Sequence, residues 1–265
     1  MKPLSGLQGN ALSLAALFIA VLIAFAVGRF PVMPGDMLAA LWAKISGASS
    51  GLPPQVDTVI FSIRGPRVIT AILCGAALAA AGAAFQGLFR NPLVSPDILG
   101  ASTGAALGAV VGIYFSLGIF GIQGLAFAGG LLAVAAVYVL GSSFRSGDTI
   151  LVLVLTGVVI GSLLGAGIGL MKYLADPYNQ LPAMTFWLLG SLAGTDRTDL
   201  VTLVAPVLAG TICLYLLRWR MNAMSLPEEE ARALGLATGR LRLAIVLAAT
   251  LVTSASVAVA GVIGW

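Results

Sequence analysis

The feature that most limits the fold of this chain is the length of its charge-free runs. Residues 98–144 contain no Asp, Glu, Lys or Arg, and these 47 residues suit two membrane-spanning helices of about 20 residues each. The whole chain is 59% hydrophobic and 9% charged. A soluble globular domain carries about 25% charged residues. The sequence therefore predicts an all-α polytopic membrane protein.

Seven spans are predicted from the apolar runs. They cover about residues 11–27, 66–89, two segments within 98–144 separated near 118–124, 149–171, 200–217, and 243 to the chain end. Pro66 is expected to start the second span, because its missing N–H costs nothing in a first helical turn. The first run is long for a signal peptide, so a retained span is favoured over a cleaved one. Residues 35–45 predict an amphipathic helix at the membrane surface, with Met37, Leu38, Leu41, Trp42 and Ile45 on its apolar face.

The chain lacks the residues that several function classes need. It has no histidine, and Cys74 and Cys213 lie in apolar runs, so no metal site, disulfide or cofactor site is predicted. The predicted spans carry no internal charge, which disfavours an ion-coupled transporter or channel and an intramembrane enzyme. No G-x-x-x-x-G-K-[ST] loop is present, so ATP would have to be used by a partner. A net charge of +4 indicates no nucleic-acid surface.

One turn between two apolar runs has a specific pattern, Q-x-x-x-x-N-P-L-x-x-P-x-x-L-G. Its positions are Gln86, Asn91, Pro92, Leu93, Pro96, Leu99 and Gly100. The pattern resembles the FecCD family of ABC importer permeases, which import iron-siderophores, haem and cobalamin. The resemblance implies a BtuC-like permease fold of about ten spans, seven of them in this chain.

A basic loop follows the sixth predicted span. Residues 218–242 hold five of the eight basic residues expected on the cytoplasmic side, and Ser225 with Glu228 forms a predicted capping box. The family segment E-x-x-A-x-x-L-G is matched by Glu228, Ala231, Leu234 and Gly235. The resemblance implies that a nucleotide-binding ATPase subunit docks here, on Glu228, Glu229, Glu230, Ala231, Arg232, Leu234 and Gly235. A solvated charged loop is the alternative.

The outer face is expected at Arg64 and Arg67, in the sequence R-G-P-R. Interfacial anchoring of both side chains is the plain interpretation. The family resemblance implies instead that they contact glutamates of an extracytoplasmic substrate-binding protein. The segment Phe186–Leu192, F-W-L-L-G-S-L, resembles iron-chelate members, although a short surface helix would explain it as well.

Pathway and repeat assignments rest on the family analogy. Gly157, Gly161 and Gly165 in the fifth span are candidates for lining the pathway, with close helix packing as the alternative. The chain is interpreted as one permease domain over residues 1–265, with a first repeat over about 66–172 and a second, incomplete repeat from about 243. Family members continue with about three more helices, so the chain is expected to be truncated.

These observations together predict the permease subunit of an ATP-driven importer. The expected ligand is an iron-siderophore, with cobalamin, haem or an oxyanion as alternatives. A second permease copy, identical or a close paralogue, should complete the pathway, and the chain itself should carry no cofactor. The basic residues favour a cytoplasmic N-terminus in the inner membrane, by eight residues inside against six outside.

Overall fold

The structure is a computed structural model that describes residues 6–28, 30, 32–47, 49, 51–143, 149–224, 226 and 228–263. Every regular element within these residues is a helix, so the predicted all-α fold is confirmed. The α-helices are α1 (Gly6–Ala26), α2 (Pro34–Ser46), α3 (Pro54–Thr58), α4 (Gly65–Phe89), α5 (Ala101–Tyr114), α6 (Ile119–Ser143), α7 (Thr149–Leu174), α8 (Gln180–Leu189), α9 (Arg197–Met224), α10 (Glu228–Ala233) and α11 (Thr238–Ala260). A π-helical segment, Val59–Arg64, joins α3 to α4, and a 3-10 turn, Pro96–Leu99, precedes α5.

Six of the described helical runs are long and apolar enough to cross a membrane. They are α1, the run from α3 through α4, α6, α7, α9 and α11. The third predicted span corresponds to α5, whose 14 residues reach only about 21 Å at 1.5 Å per residue. A bilayer core is about 30 Å thick. Among the described residues, six of the about seven predicted spans therefore match helices long enough to cross a membrane, and the third is shorter than predicted because the 3-10 turn takes up the first residues of that run.

The helix that carries Pro66 does not begin at the proline. Residues 54–89 form one continuous helical run. The N–H of Gly65 donates to the carbonyl five residues earlier, as a π-helical turn requires. In that register the carbonyl of Phe61 would accept a hydrogen bond from residue 66, but Pro66 has no N–H. Nη2 of Arg197 donates to the carbonyl of Phe61 instead, at 3.2 Å. The wider turn and the arginine together accommodate a proline inside the helix.

The break between the third and fourth apolar segments also differs from the prediction. It falls at residues 115–118 rather than 118–124, because α5 ends with Ser116 in the left-handed region at φ +54°. The N–H of Leu117 donates to the carbonyl of Gly112 at 2.9 Å, which closes this helix end. The later glycines, at 121 and 124, lie inside α6.

The described residues form two compact units. The first comprises residues up to Ile72 together with Thr195–Leu200, and its core holds Val32, Ala40, Val56 and Ile60. The predicted amphipathic helix is present in this unit as α2. Met37 on α2 is buried, while Leu38, Leu41, Trp42 and Ile45 are exposed. The position of α2 at a membrane surface stays a prediction.

The second unit, Leu73–Gly194 with Val201–Trp265, is built around α11. Of the most apolar stretch of α11, nearly three quarters of the residues are buried, against 11% for the corresponding stretch of α7. Beside α11, α5 and α6 pack backbone to backbone through glycines. A Cβ at Gly108 would lie 2.0 Å from the carbonyl oxygen of Leu125, and one at Gly129 would lie 2.3 Å from that of Gly104. Small residues therefore set the distance between these two helices.

We predict that Gly108→Ala lowers the free energy of unfolding by about 1–3 kcal/mol, because the added methyl group must push the two backbones apart. Gly124→Ala is the matched control, since a Cβ there meets no atom within 4 Å. That change should be neutral or slightly stabilising. Thermal unfolding of the purified chain in detergent measures both, and equal melting temperatures for the two variants would contradict the packing.

Candidate functional site

The turn after α4 is closed by its own motif residues. Arg90 adopts the left-handed conformation at φ +50°, and the N–H of Asn91 donates to the carbonyl of Gln86 at 3.2 Å, the six-to-one bond of a Schellman motif. Oδ1 of Asn91 then accepts the N–H of Leu93 at 2.9 Å. The side chain of Gln86 is exposed, as is Pro92. In this turn, Gln86 and Asn91 therefore act as turn-forming residues.

The second half of the motif leads into α5. Pro96 is buried at the start of the 3-10 turn, and Gly100 follows it at φ +76°. Oδ1 of Asp97 accepts the N–H of Ser102 at 3.0 Å, so this carboxylate satisfies a free donor in the first turn of α5. Burial raises the pKa of the Asp97 carboxyl, and the backbone N–H groups of Ser102 and Thr103 lower it by a smaller amount.

This turn packs directly on α7. A Cβ at Gly157 would lie 2.2 Å from the carbonyl oxygen of Ile98, and a Cβ at Gly100 would lie 3.8 Å from Cα of Gly161. Of the three predicted pathway glycines, Gly157 thus serves close packing in this structure. A Cβ at Gly161 or at Gly165 meets nothing within 4 Å, and Gly165 is also exposed.

The predicted docking segment contains a helix of only six residues, α10. Its end is a complete Schellman motif. The N–H of Leu236 donates to the carbonyl of Ala231 at 3.2 Å, and the N–H of Gly235 donates to the carbonyl of Arg232 at 2.9 Å. Gly235 has φ +79°, which a residue with a Cβ adopts only at a cost. The sequence prediction that Gly235 ends this helix is confirmed.

The two faces of α10 differ in exposure. Ala231 is buried and α10 packs on the start of α11, whereas Leu234 is 65% exposed. Glu229 and Glu230 are also exposed. Nε of Arg232 lies 3.4 Å from Oγ1 of Thr238 and ties α10 to α11. The segment therefore exposes a leucine and two acidic side chains, while its opposite side is held against α11.

The predicted capping box falls outside the described part of the chain. Ser225 and Pro227 lie outside the described residues, as does the side chain of Glu228.

Arg90 connects the turn to the end of α9, which precedes this segment in the chain. Its Nε donates at 3.3 Å to the carbonyl of Met224, the last residue of α9. The buried side chain of Met224 lies in the same core cluster as Phe89 and Val94. Sequence reasoning did not single out Arg90, because its partner is 134 residues away and no local pattern indicates the contact. Asp97 was also missed, although an acidic residue just before a helix is a recognisable signal.

The predicted outer arginines lie in the first unit. Arg64 is buried, and its two terminal nitrogens donate to the carbonyls of Phe25 and Phe30. Its guanidinium therefore holds the end of α1 and the segment after it. Arg67 is half-buried, and its Nε has no hydrogen-bond partner among the described residues. The two arginines thus have different environments despite their shared motif.

The segment 186–192 packs on the end of α11. A Cβ at Gly190 would lie 2.6 Å from the carbonyl oxygen of Val262, and the N–H of Ser191 donates to Ala260 at 2.7 Å. Phe186 is exposed. Packing therefore explains the glycine of this segment, and Oγ of Ser191 accepts the N–H of Ala193 at 3.1 Å.

A cavity of about 390 Å³ lies between α6, α9 and α11, away from the predicted pathway glycines. Apolar side chains line most of it, including Phe120, Phe127, Pro206 and Val259. Within the described part of the chain, no group of three or more His, Cys, Asp or Glu residues could hold a metal ion.

Comparison with known proteins places the chain among transport permeases. The model of the FecCD transport family matches residues 16–265. The chain is 34% identical over 249 residues to the molybdate import permease of Haemophilus influenzae, covering 94% of this chain and 73% of that one. It is 39% identical to a chain of Helicobacter pylori named as a probable iron chelatin transport permease, covering 80% of this chain and 63% of that one.

A solved structure agrees with these sequence relatives. It is described as an inward-facing conformation of a candidate metal-chelate type ABC transporter. Its TM-score is 0.84 at 32% identity, and the match covers 97% of this chain and 76% of the solved one. Other relatives are named for cobalamin, hemin and ferric citrate transport, so the relatives span several ligands.

We predict opposite effects of the same change at two nearby glycines. Gly235→Ala should destabilise the end of α10 by about 1–2 kcal/mol, because its φ of +79° is unfavourable for alanine. Gly239→Ala should be neutral or stabilising by up to about 1 kcal/mol, since that glycine is helical and a Cβ there meets nothing within 4 Å. Amide hydrogen exchange over residues 229–236 measures the difference. Equal exchange in the two variants would contradict the motif.

We also predict a pH-dependent effect of Asp97→Asn. Because the folded protein raises the pKa of this carboxyl, the stability that it contributes is fully present below the ordinary value of 3.8 and is lost as pH rises through the folded value. Asparagine keeps an acceptor for the N–H of Ser102 without the charge. The variant should match the parent in acid and melt at a higher temperature at neutral pH. A difference that shrinks with rising pH would contradict this assignment.

Proposed function

Because this chain belongs to the FecCD transport family and is an ABC importer permease, we propose that it moves an iron chelate from an extracytoplasmic binding protein into the cytoplasm. The chain is a multi-pass membrane protein. Its homologues are transport permeases rather than enzymes. Family members work with an ATPase and a substrate-binding protein, and we propose the same partners for this chain.

The proposed mechanism rests on one observation, the structure of α10 and of the turn that follows it. A helix of six residues is marginal in water unless something packs against it. Here its buried Ala231 faces the protein and the exposed Leu234 faces away, and Gly235 fixes the turn that follows, between α10 and α11. We propose that an ATPase subunit covers Leu234, Glu229 and Glu230.

A contact route from the end of α9, the helix that precedes α10, to the proposed pathway helix supports the mechanism. The last carbonyl of α9 accepts a hydrogen bond from Arg90, which lies in the turn after α4. That turn continues to Ile98 and Gly100, which pack on Gly157 and Gly161 of α7. Movement of the end of α9 would therefore reach α7 through closely packed elements. We propose that Gly165 and the open face around it line the pathway.

We propose separate roles for the two outer arginines. Arg67 is the candidate for direct contact with the binding protein. Arg64 positions the outer segment through its bonds to Phe25 and Phe30. Charge attraction between Arg67 and an acidic partner should weaken with added salt.

We further propose that two copies of the permease enclose the pathway in the inner membrane, with the N-terminus cytoplasmic. The exposed side of α7, including Val159 and Leu163, is available for the second copy. The segment of α4 from Gly75 to Ala83 is also exposed on one side, where its residues are small.

The ligand is best tested with the assembled complex. Ferric siderophore, cobalamin, haemin and molybdate, each with its own binding protein, should be compared as stimulators of ATP hydrolysis by the permease and its ATPase in vesicles. We expect the ferric siderophore to stimulate most. Stimulation by molybdate or cobalamin alone would overturn the iron-chelate assignment.

We predict that Leu234→Ala weakens ATPase binding at least about tenfold, because it removes an exposed leucine that the partner would bury. Leu189→Ala is the matched control, because Leu189 is similarly exposed. It lies on α8, which precedes the spanning helix α9, whereas Leu234 follows α9. Co-purification of the ATPase with each variant measures the effect, and membrane insertion should be unchanged. Equal recovery of the ATPase with both variants would contradict the docking role.

A further inference from the structure

The helix α9 has two distinct faces beyond residue 200. One face is buried against the second unit and contains Leu203, Val207, Gly210, Leu214 and Met224. The opposite face consists of exposed large apolar residues at helical spacing. These are Val201, Leu208, Ile212, Tyr215, Leu216 and Trp219. An exposed apolar stripe of this length on a spanning helix fits contact with lipid acyl chains.

The lipid-facing stripe ends at a sharp change in polarity. Residues 200–217 carry no charge and span about 26 Å at 1.5 Å per residue. Arg218 and Arg220 follow at once, and both are exposed. Since the hydrocarbon core is about 30 Å thick, Arg218 lies at the level of the lipid headgroups. Tyr215 and Trp219 beside it are the residue types enriched at that level.

The guanidinium of Arg218 is held in a defined position. Its Cζ lies 3.8 Å from the centre of the Tyr215 ring and 5.7 Å from that of Trp219. Its Nη1 donates to the carbonyl of Tyr215 at 3.1 Å. Among the described residues it has no acidic partner, so its other N–H groups point to the solvent or the membrane surface. Arg220, two residues later, has no ring contact of this kind.

We propose that Arg218, with Tyr215 and Trp219, forms a binding site for the phosphodiester headgroup of an anionic phospholipid. A planar guanidinium donates two parallel hydrogen bonds to phosphate oxygens. The two aromatic rings already restrict the rotamers of Arg218, so its side chain loses less conformational entropy when it binds. The acyl chains of the same lipid then lie along Ile212 and Leu216.

Charge complementarity favours a lipid over a protein partner here. The acidic side chains nearest in sequence belong to α10, which begins ten residues after Arg218 and is separated from it by the last turns of α9. The apolar stripe leads directly to the arginine, so one molecule with an anionic head and apolar tails satisfies both parts. The site goes beyond the proposed transport function and depends on neither an ATPase nor a ligand.

Tryptophan quenching tests this proposal on the full chain in vesicles. Trp42, Trp187 and Trp265 are replaced by phenylalanine, which leaves Trp219 as the reporter. Brominated phosphatidylglycerol is compared with brominated phosphatidylcholine at equal mole fractions. We expect an approximately fivefold preference for phosphatidylglycerol, the attraction that one arginine exerts on anionic lipids.

Matched variants separate a site from general surface charge. Arg218→Gln should bring the preference to about one, and Tyr215→Leu should reduce it, whereas Arg220→Gln should retain most of it. Inorganic phosphate should not compete beyond the effect of chloride at the same ionic strength. Equal loss in the Arg218 and Arg220 variants, equal quenching by both lipids, or no quenching of Trp219 because a protein covers it would each overturn the proposal. Circular dichroism and a single elution peak confirm that each variant is folded.

Discussion

The need to satisfy backbone groups wherever a helix stops or widens underlies most of this structure. A membrane offers no water for the carbonyls freed at such points, so the protein must supply donors itself. It does so in three ways: left-handed residues close α4, α5 and α10, Arg197 serves the carbonyl opposite Pro66, and Arg90 serves the end of α9. The candidate functional elements lie at these same points, because a helix end is where the chain can change direction.

The sequence predicted the broad fold and the turn motif well, because both depend on local signals. Long charge-free runs indicate spanning helices, and the Gln86, Asn91 and Pro96 pattern encodes a turn whose bonds lie within a few residues. Gly235 was recognised as a helix end for the same reason, since its left-handed conformation is a property of one residue. The family model confirms the resemblance that these motifs carried.

The errors arose where distant residues decide the local structure. Pro66 normally starts a helix, but the π-helical segment before it and Arg197 from a later helix let the helix continue through it. The break before α6 was expected at glycines, yet Ser116 takes the left-handed position and two later glycines stay helical. Gly157, one of the α7 glycines interpreted as pathway residues, also packs closely on Ile98, and its pathway role stays a prediction. Periodicity alone cannot distinguish these cases.

Position 90 combines two opposing requirements. Its left-handed backbone is one that glycine adopts freely and that a larger residue adopts at a cost of about 1–2 kcal/mol. Its side chain meanwhile reaches the final carbonyl of another helix, which glycine cannot do. Glycine would ease the turn and lose the bond between the two helices, whereas arginine keeps the bond and accepts the strained backbone.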